Sequence, residues 1–177
     1  KLKIAKDLGI LQVSNKPLQF VRYPLVYLVE AADDICYQIM DIEDAHKLNI
    51  ESTEKIIDLL TQFFEGERLE REIKITNLID DINEKIGYLR SSIIGELVQE
   101  CAQVFLKHEE DILKGNFKGK LISHISDTPL HAYHACSKFA VSKIYRSKEV
   151  LDIELAGYHI IGSLLERFIH AVLTPSH

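Results

Sequence analysis

The sequence has few of the residues that interrupt helices, and it has only three cysteines. Eight glycines and four prolines occur in 177 residues, and no stretch alternates apolar and polar residues with the period of two that strands show. These scarcities predict an all-α fold. Cys36, Cys101 and Cys136 are odd in number and widely spaced in apolar surroundings. A disulfide framework is therefore not indicated, and we expect three reduced core thiols.

Long apolar runs and an excess of positive charge are also missing. No run approaches the roughly 18 apolar residues that a membrane-spanning helix needs, and no signal peptide is visible. We therefore expect a cytoplasmic protein without a membrane partner. The net charge of −6 disfavours nucleic-acid binding over the whole surface, although Lys114, Lys118 and Lys120 form a small basic patch.

Helical periodicity is present along most of the chain, which is long enough for one domain with a real core. We predict helices at residues 24–46, 52–65, 69–85, 88–114, 129–145 and 148–172, and a loop at 115–120. In the helix at 52–65 the residues expected to face inward are Ile56, Ile57, Leu59, Leu60, Phe63 and Phe64. In the helix at 69–85 they are Ile73, Ile75, Leu78, Ile79 and Ile82.

The most informative pattern lies in residues 30–46. Asp33, Tyr37 and Asp41 stand at i, i+4 and i+8 and would share one stripe of a helix. Apolar residues surround Asp33, so we expect a carboxylate in an apolar setting, which needs a partner such as a metal ion. The alternative is that the acids form a solvated face and Tyr37 belongs to the core. One carboxylate is not a metal site, because magnesium or manganese needs about six ligands and zinc about four.

Two stretches resemble a known family. Arg22–Ala45 (RYPLVYLVEAADDICYQIMDIEDA) is similar to the last motif of the bacterial deoxyguanosine triphosphate triphosphohydrolases. These enzymes of the HD superfamily cleave a deoxynucleoside triphosphate to a deoxynucleoside and inorganic triphosphate. Lys143–Phe168 resembles their helical C-terminal region. The resemblance implies that residues 1–177 are the C-terminal helical part of an HD-superfamily domain, with the site helix at about 24–46 and the C-terminal helical region at about 129–172.

The resemblance also implies roles for the stripe. Asp33 would be the final ligand of a divalent metal ion, magnesium or manganese. Tyr37 would pack against C2′ of the sugar and exclude a ribose hydroxyl, and Asp41 would accept a hydrogen bond from the 3′-hydroxyl. The implied substrate is a deoxynucleoside triphosphate, with dGTP the expected one. The implied assembly is a homo-oligomer, a hexamer by resemblance, and some members of the family respond to nucleotides or single-stranded DNA.

Several parts of the family's pattern are absent. The chain contains no His-Asp dipeptide, and the catalytic histidine and glutamate and the phosphate-gripping segment are missing as well. We expect these parts to lie upstream, and we expect this chain alone to be inactive. The alternative, from a different class, is a non-catalytic helical module for regulation or oligomerisation, whose acidic stripe is only structural.

A few further residues are weaker candidates. His131 and His134 have an i, i+3 spacing that can chelate a metal, but no third ligand is near, which favours a helix-entry surface or a subunit contact. Arg22 would reach a phosphate or pair with a local carboxylate. Three residues of the second family-like stretch are candidates for approaching a neighbouring subunit's pocket: Arg146, His159 and Arg167.

Overall fold

The structure, a computed structural model, describes residues 2–174, and these residues are mostly helical. The all-α prediction is confirmed. In chain order the elements are α1 (Leu2–Asp7), β1 (Gln12–Asn15), β2 (Leu18–Phe20), α2 (Pro24–Lys47), α3 (Thr53–Thr61), α4 (Gly66–Thr76), α5 (Ile82–Lys107), α6 (Glu109–Lys114), a 3-10 helix (Leu121–His124), α7 (Asp127–Phe139), a π-helix (Ala140–Ile144) and α8 (Lys148–Leu173).

Helices α2 and α5 form the centre of the fold. They pack on each other, and α3, α7 and the 3-10 helix pack around them. Burying an aliphatic side chain stabilises the folded state by about 1.5–3 kcal/mol relative to exposure, so the apolar contact between these helices stabilises the fold. The fully buried side chains at the centre are Ile35, Ile39 and Ile42 of α2, Ile56 and Leu60 of α3, and Leu89, Ile93 and Leu97 of α5.

Side-chain caps and a proline define where the helices begin. Pro24 stands in the first turn of α2, where its missing amide hydrogen would be unpaired anyway. Ser52 accepts a hydrogen bond from the Lys55 amide at the start of α3, and Ser147 accepts one from the Val150 amide at the start of α8. Such a cap satisfies one of the free amides of the first turn and stabilises a helix by about 1 kcal/mol.

The prediction of a single helix at 69–85 is wrong. Helix α4 ends at Thr76, and α5 begins at Ile82 because the Asp81 carboxylate caps it, accepting the Glu84 amide at 2.9 Å. The inward face was also misassigned, since Ile73, Leu78 and Ile82 are exposed while Glu72 and Thr76 are buried. The predicted helix at 88–114 is likewise divided, because α5 ends at Lys107 and α6 covers Glu109–Lys114.

A partly buried ion pair joins the two central helices. The Glu43 carboxylate of α2 accepts a hydrogen bond from Arg90 Nη1 of α5 at 2.5 Å, and Lys47 Nζ lies 3.1 Å from its other oxygen. Burial raises the pKa of Glu43, but the hydrogen bonds from Arg90 and Lys47 outweigh burial and lower the pKa from 4.5. Glu43 is therefore ionised near neutral pH.

The N-terminal residues form a β-hairpin that the sequence patterns did not predict. Strands β1 and β2 pair antiparallel, with Gln12 opposite Phe20 and Asn15 opposite Leu18. Strands of four and three residues are too short for a period of two to stand out. The chain after β2 packs tightly against Gly115, where a Cβ would lie 2.4 Å from Val21 Cγ1 and where φ is +75°. Both conditions require glycine at this helix end.

The cysteine prediction holds for two of the three residues. Cys101 and Cys136 are buried free thiols, and burial raises their pKa values to about 11 and about 12, so both are inert as nucleophiles. Cys36 is exposed, and its prediction as a core thiol is wrong. It lies on a face of α2 that the rest of residues 2–174 leaves uncovered.

Helix α8 contacts the core through Val150 in its first turn and otherwise lies outside the core. None of its 26 residues is buried, although apolar residues occupy most of its circumference. Its large exposed apolar side chains are Leu151, Ile153, Leu155, Tyr158, Ile160, Ile161, Leu164, Leu165, Phe168, Ile169, Val172 and Leu173. Within residues 2–174 no helix combines the length and the apolar character that a bilayer crossing requires.

Candidate functional site

Helix α2 carries the three predicted site residues on one stripe of its surface. Its inner face packs Ala31, Ile35 and Ile39 into the core, and this fixes the rotation of the helix about its axis. Asp33 and Tyr37 are consequently exposed, and Asp41 is half-buried.

The structure contradicts the expectation that Asp33 lies in a buried apolar setting. Its apolar neighbours Leu25, Val29 and Met40 are themselves exposed, because they lie on the uncovered side of α2. An exposed carboxylate needs no partner to remain ionised, so this argument for a metal ion is wrong. The alternative interpretation of Tyr37 as a core residue is also wrong, because its side chain is 67% exposed.

A small cavity of about 270 Å³ opens beside Asp33, and we call it the acidic cavity. Its lining residues are Asp33, Asp34, Tyr37, Gln38, Tyr133 and Tyr145. Lys120 Nζ lies 2.8 Å from Asp34 Oδ1, and the Tyr133 hydroxyl donates to the backbone carbonyl of Asp34 at 3.3 Å. Asp34 Oδ2 is buried and has no hydrogen-bond partner among the described residues. The acidic cavity therefore combines carboxylate oxygens with tyrosine hydroxyls.

A second cavity, of about 390 Å³, continues along α2 and is called here the Asp41 cavity. Its lining residues are Tyr37, Asp41, Asp44, Leu48, Ile144, Tyr145, Val150, Ile153 and Glu154. The Tyr145 hydroxyl donates a hydrogen bond to Asp41 Oδ2 at 2.5 Å. Because Tyr37 and Tyr145 line both cavities, the two form one groove between α2 and the segment that joins α7 to α8.

The two tyrosines contributed from beyond α2 are held in the protonated form. Burial, assisted by the nearby Asp34 charge, raises the pKa of Tyr133 to about 12. For Tyr145 the hydrogen bond to Asp41 is the main cause, followed by burial, and its pKa also rises to about 12. Both hydroxyls are therefore hydrogen-bond donors at physiological pH.

The described residues do not form a complete metal centre. Across residues 2–174, no group of three or more His, Cys, Asp or Glu side chains is arranged to hold a metal ion. The Asp33 carboxylate receives no hydrogen bond from any side chain in this part of the protein, and the neighbouring Asp34 Oδ2 is unpaired. These oxygens are suitable ligands for magnesium or manganese, but they amount to fewer than the roughly six ligands required.

The other candidate residues lie away from the groove or are paired. His131 and His134 are exposed on α7 and gain no third ligand among the residues that the structure describes. Arg22 pairs with Glu30 and also donates to the Gly119 carbonyl, as the local-pair alternative predicted. Arg146, His159 and Arg167 are exposed and line neither cavity. Two lysines of the basic patch are also paired: Lys114 with Glu110 and Lys120 with Asp34.

Sequence reasoning missed the two tyrosines that other segments contribute to the groove, Tyr133 and Tyr145. Tyr133 stands between the two histidines that drew attention, and Tyr145 stands beside Arg146. Helical spacing gave no signal for them, because their partners on α2 lie 99 and 104 residues away in the chain. Only the packing of α7 and the π-helix on α2 brings them together.

The fold and the groove thus define an all-helical protein with an acidic, tyrosine-lined cleft on its central helix. No family model matches the chain. The chain is 31% identical over 171 residues to a deoxyguanosinetriphosphate triphosphohydrolase-like protein of Synechocystis sp., covering 97% of this chain and 37% of that protein. It is 30% identical over 171 residues to a deoxyguanosinetriphosphate triphosphohydrolase of Yersinia enterocolitica, covering 89% of this chain and 33% of that enzyme.

A third relative, a deoxyguanosinetriphosphate triphosphohydrolase-like protein of Pseudomonas aeruginosa, is 29% identical over 171 residues, covering 97% of this chain and 38% of that protein. The family resemblance predicted from the sequence is confirmed. The relatives that match most of this chain at about 30% identity are named deoxyguanosinetriphosphate triphosphohydrolases or triphosphohydrolase-like proteins, and the chain spans between 33% and 38% of their length.

Proposed function

We propose that this chain is the C-terminal, sugar-binding part of an enzyme that hydrolyses deoxynucleoside triphosphates, dGTP among them, to a deoxynucleoside and inorganic triphosphate. The observation that carries the proposal is the groove itself. It lines up Asp33, Tyr37 and Asp41 along α2 and adds two protonated tyrosines from the α7–α8 segment. The names of the relatives support the same activity.

The proposed roles follow the order of the residues along the groove. The acidic cavity with Asp33 receives the phosphate end of the substrate, and the Asp41 cavity receives the sugar. Tyr37 lies between them and presents its ring to C2′, where a ribose hydroxyl has no room. The Asp41 carboxylate, an acceptor of hydrogen bonds only, accepts a hydrogen bond from the 3′-hydroxyl.

The proposed activity implies a divalent metal ion, magnesium or manganese, and Asp33 is the residue of this chain that would hold it. Its carboxylate is exposed and receives no hydrogen bond from another side chain of residues 2–174. A site built on it alone is incomplete, so the remaining ligands belong to other parts of the enzyme. When bound, such an ion polarises a phosphate oxygen and favours attack by water.

The role of Asp41 is tested by Asp41→Asn in the complete enzyme. The amide still fills the space, but it lacks the negative charge that strengthens the hydrogen bond from the 3′-hydroxyl. A hydrogen bond to a charged group contributes about 1.5–3 kcal/mol, so kcat/KM for dGTP should fall about tenfold or more. The measurement is kcat/KM for dGTP and for its 2′,3′-dideoxy analogue.

The dideoxy analogue should lose much less activity than dGTP, because it has no 3′-hydroxyl to recognise. Asp58→Asn is the control, since Asp58 is an exposed carboxylate on α3 that lines neither cavity. An equal loss for both substrates in Asp41→Asn would contradict the assignment.

The second candidate function, a helical oligomerisation module, is favoured by α8. Leu151, Leu155, Tyr158, Leu165, Ile169 and Val172 recur with alternating spacings of four and three, with Gly162 at one position. Such spacing is that of a coiled-coil seam, and all of these side chains are exposed. We propose that α8 packs against other copies of the protein in a homo-oligomer.

Replacing Leu165 and Ile169 by Glu should dissociate this assembly, because charge cannot be buried in an apolar seam without a partner. Sedimentation velocity on the complete protein would show a smaller species than the wild type. Glu166→Lys is the control, since Glu166 lies on the polar side of the same helix. A wild-type protein that sediments as a monomer would refute assembly through α8. Assembly with no hydrolysis of any deoxynucleoside triphosphate would favour the module over the enzyme.

A further inference from the structure

Tyr145 occupies the point where the two cavities meet. It follows the π-helix directly, and its own amide bonds to the Ala140 carbonyl at 3.0 Å, closing that wide turn. Ile144, the residue before it, is buried in the core at 4% exposure. The backbone is therefore anchored immediately next to Tyr145. Wide turns of this kind frequently occur at functional sites.

The Tyr145 hydroxyl makes the shortest polar contact in the groove. Its distance of 2.5 Å to Asp41 Oδ2 is in the short range of hydrogen bonds between a hydroxyl and an ionised carboxylate. The same bond, together with burial, raises the pKa of Tyr145 to about 12, which keeps the donor proton in place at physiological pH.

This contact occupies Asp41 Oδ2 with a hydrogen bond and leaves Oδ1 without one from a side chain of residues 2–174. No other side chain among residues 2–174 donates to Asp41, so Oδ1 is available to a ligand. The terminal torsion of an aspartate is broad and is set by its surroundings. With Oδ2 held by Tyr145, rotation of the carboxylate is restricted, and Oδ1 remains available to a ligand in the cavity that Asp41 lines.

We propose that Tyr145 is a positioning residue for recognition of the 3′-hydroxyl. It holds the Asp41 carboxylate in the orientation in which that carboxylate accepts a hydrogen bond from the 3′-hydroxyl. This inference rests on the proposed function, because it assumes that Asp41 binds the sugar. Tyr145 itself acts through Asp41. It therefore affects discrimination at C3′ and not discrimination at C2′, which depends on Tyr37.

The test is Tyr145→Phe in the complete enzyme, which keeps the ring in the groove and removes only the hydroxyl. The preference for dGTP over its 2′,3′-dideoxy analogue, as a ratio of kcat/KM values, should fall about tenfold, mainly through KM for dGTP. The ratio for dGTP over GTP should stay within about twofold of the wild-type value. Tyr23→Phe is the matched control, because Tyr23 is 43% exposed against 48% for Tyr145, and it lines neither cavity.

A double-mutant cycle separates positioning from a structural role. In the Asp41→Asn background, Tyr145→Phe should have no further effect on the 3′-hydroxyl preference, because the group that it orients is already neutral. A residue needed only for folding would lower kcat/KM for all substrates alike and would do so in both backgrounds. That result would overturn the inference.

Failure of the inference and failure of the proposed function give different results. A wild-type enzyme that hydrolyses dGTP and prefers it to the dideoxy analogue, with the preference unchanged in Tyr145→Phe, refutes the role of Tyr145 alone. A complete wild-type protein that hydrolyses no deoxynucleoside triphosphate refutes the proposed function, and the inference with it.

Discussion

Asp33→Asn in the complete enzyme should abolish release of inorganic triphosphate from dGTP while leaving the fold intact. The substitution keeps the size of the side chain and removes the charged oxygen that the proposed metal centre requires. Since Asp33 is exposed and receives no hydrogen bond from another side chain of residues 2–174, the folded state loses no contact. The free energy of unfolding should therefore change by no more than it does for a typical surface substitution, about 0.5 kcal/mol.

Three measurements check this expectation: triphosphate release, bound manganese or magnesium in the purified protein, and the unfolding midpoint. Asp80→Asn is the control, because Asp80 is an exposed carboxylate between α4 and α5 that lines neither cavity. It should retain wild-type activity and metal content. Full activity of Asp33→Asn at ordinary metal concentration would exclude Asp33 as a ligand.

Tyr37→Ala should change which sugar the enzyme accepts. Removing the ring opens space at C2′, so activity on GTP should rise relative to activity on dGTP. A change in fit of this kind contributes about 1–3 kcal/mol of discrimination, or about 10–200-fold. The measurement is the ratio of kcat/KM for dGTP to kcat/KM for GTP in the wild type and the variant.

The exposure of Tyr37 sharpens this test. A buried tyrosine replaced by alanine would cost about 3–5 kcal/mol, and the resulting instability would obscure any effect on specificity. Tyr37 is 67% exposed, so its replacement should cost little stability. Met40→Ala, at a position 49% exposed on the same helix and outside both cavities, is the control and should leave the ratio unchanged. If the Tyr37→Ala protein remains folded and keeps the wild-type ratio, the proposed role of Tyr37 in excluding a ribose hydroxyl at C2′ is refuted.

Local patterns explain which parts of the fold could be predicted. The helix predicted at 24–46 is observed as Pro24–Lys47, and the one predicted at 148–172 as Lys148–Leu173. Both have a long periodic sequence and a clear start, Pro24 in one and the Ser147 cap in the other. The prediction of one helix at 69–85 was wrong because apolar periodicity does not reveal a helix cap. Asp81 caps a new helix in the middle of the apolar pattern.

The burial of individual residues was less predictable. Leu25, Val29 and Met40 are as apolar as Ile35 and Ile39, yet only the last two are buried. The sequence of α2 has apolar residues on nearly every side, so its pattern could not indicate which face meets the core. That choice depends on α5, which packs against Ile35 and Ile39 and leaves the Asp33 side open.

The amino-acid sequence by itself determined that the protein is helical, that Asp33, Tyr37 and Asp41 share one stripe, and that the chain resembles a family of triphosphohydrolases. These properties depend on residue types and spacings within single segments, where the helical repeat is enough. Only the tertiary structure decided that Asp33 and Tyr37 are exposed and that Tyr145 holds Asp41 from 104 residues away in the chain. Contacts between distant segments arise from the packing of whole helices, and no local spacing records them.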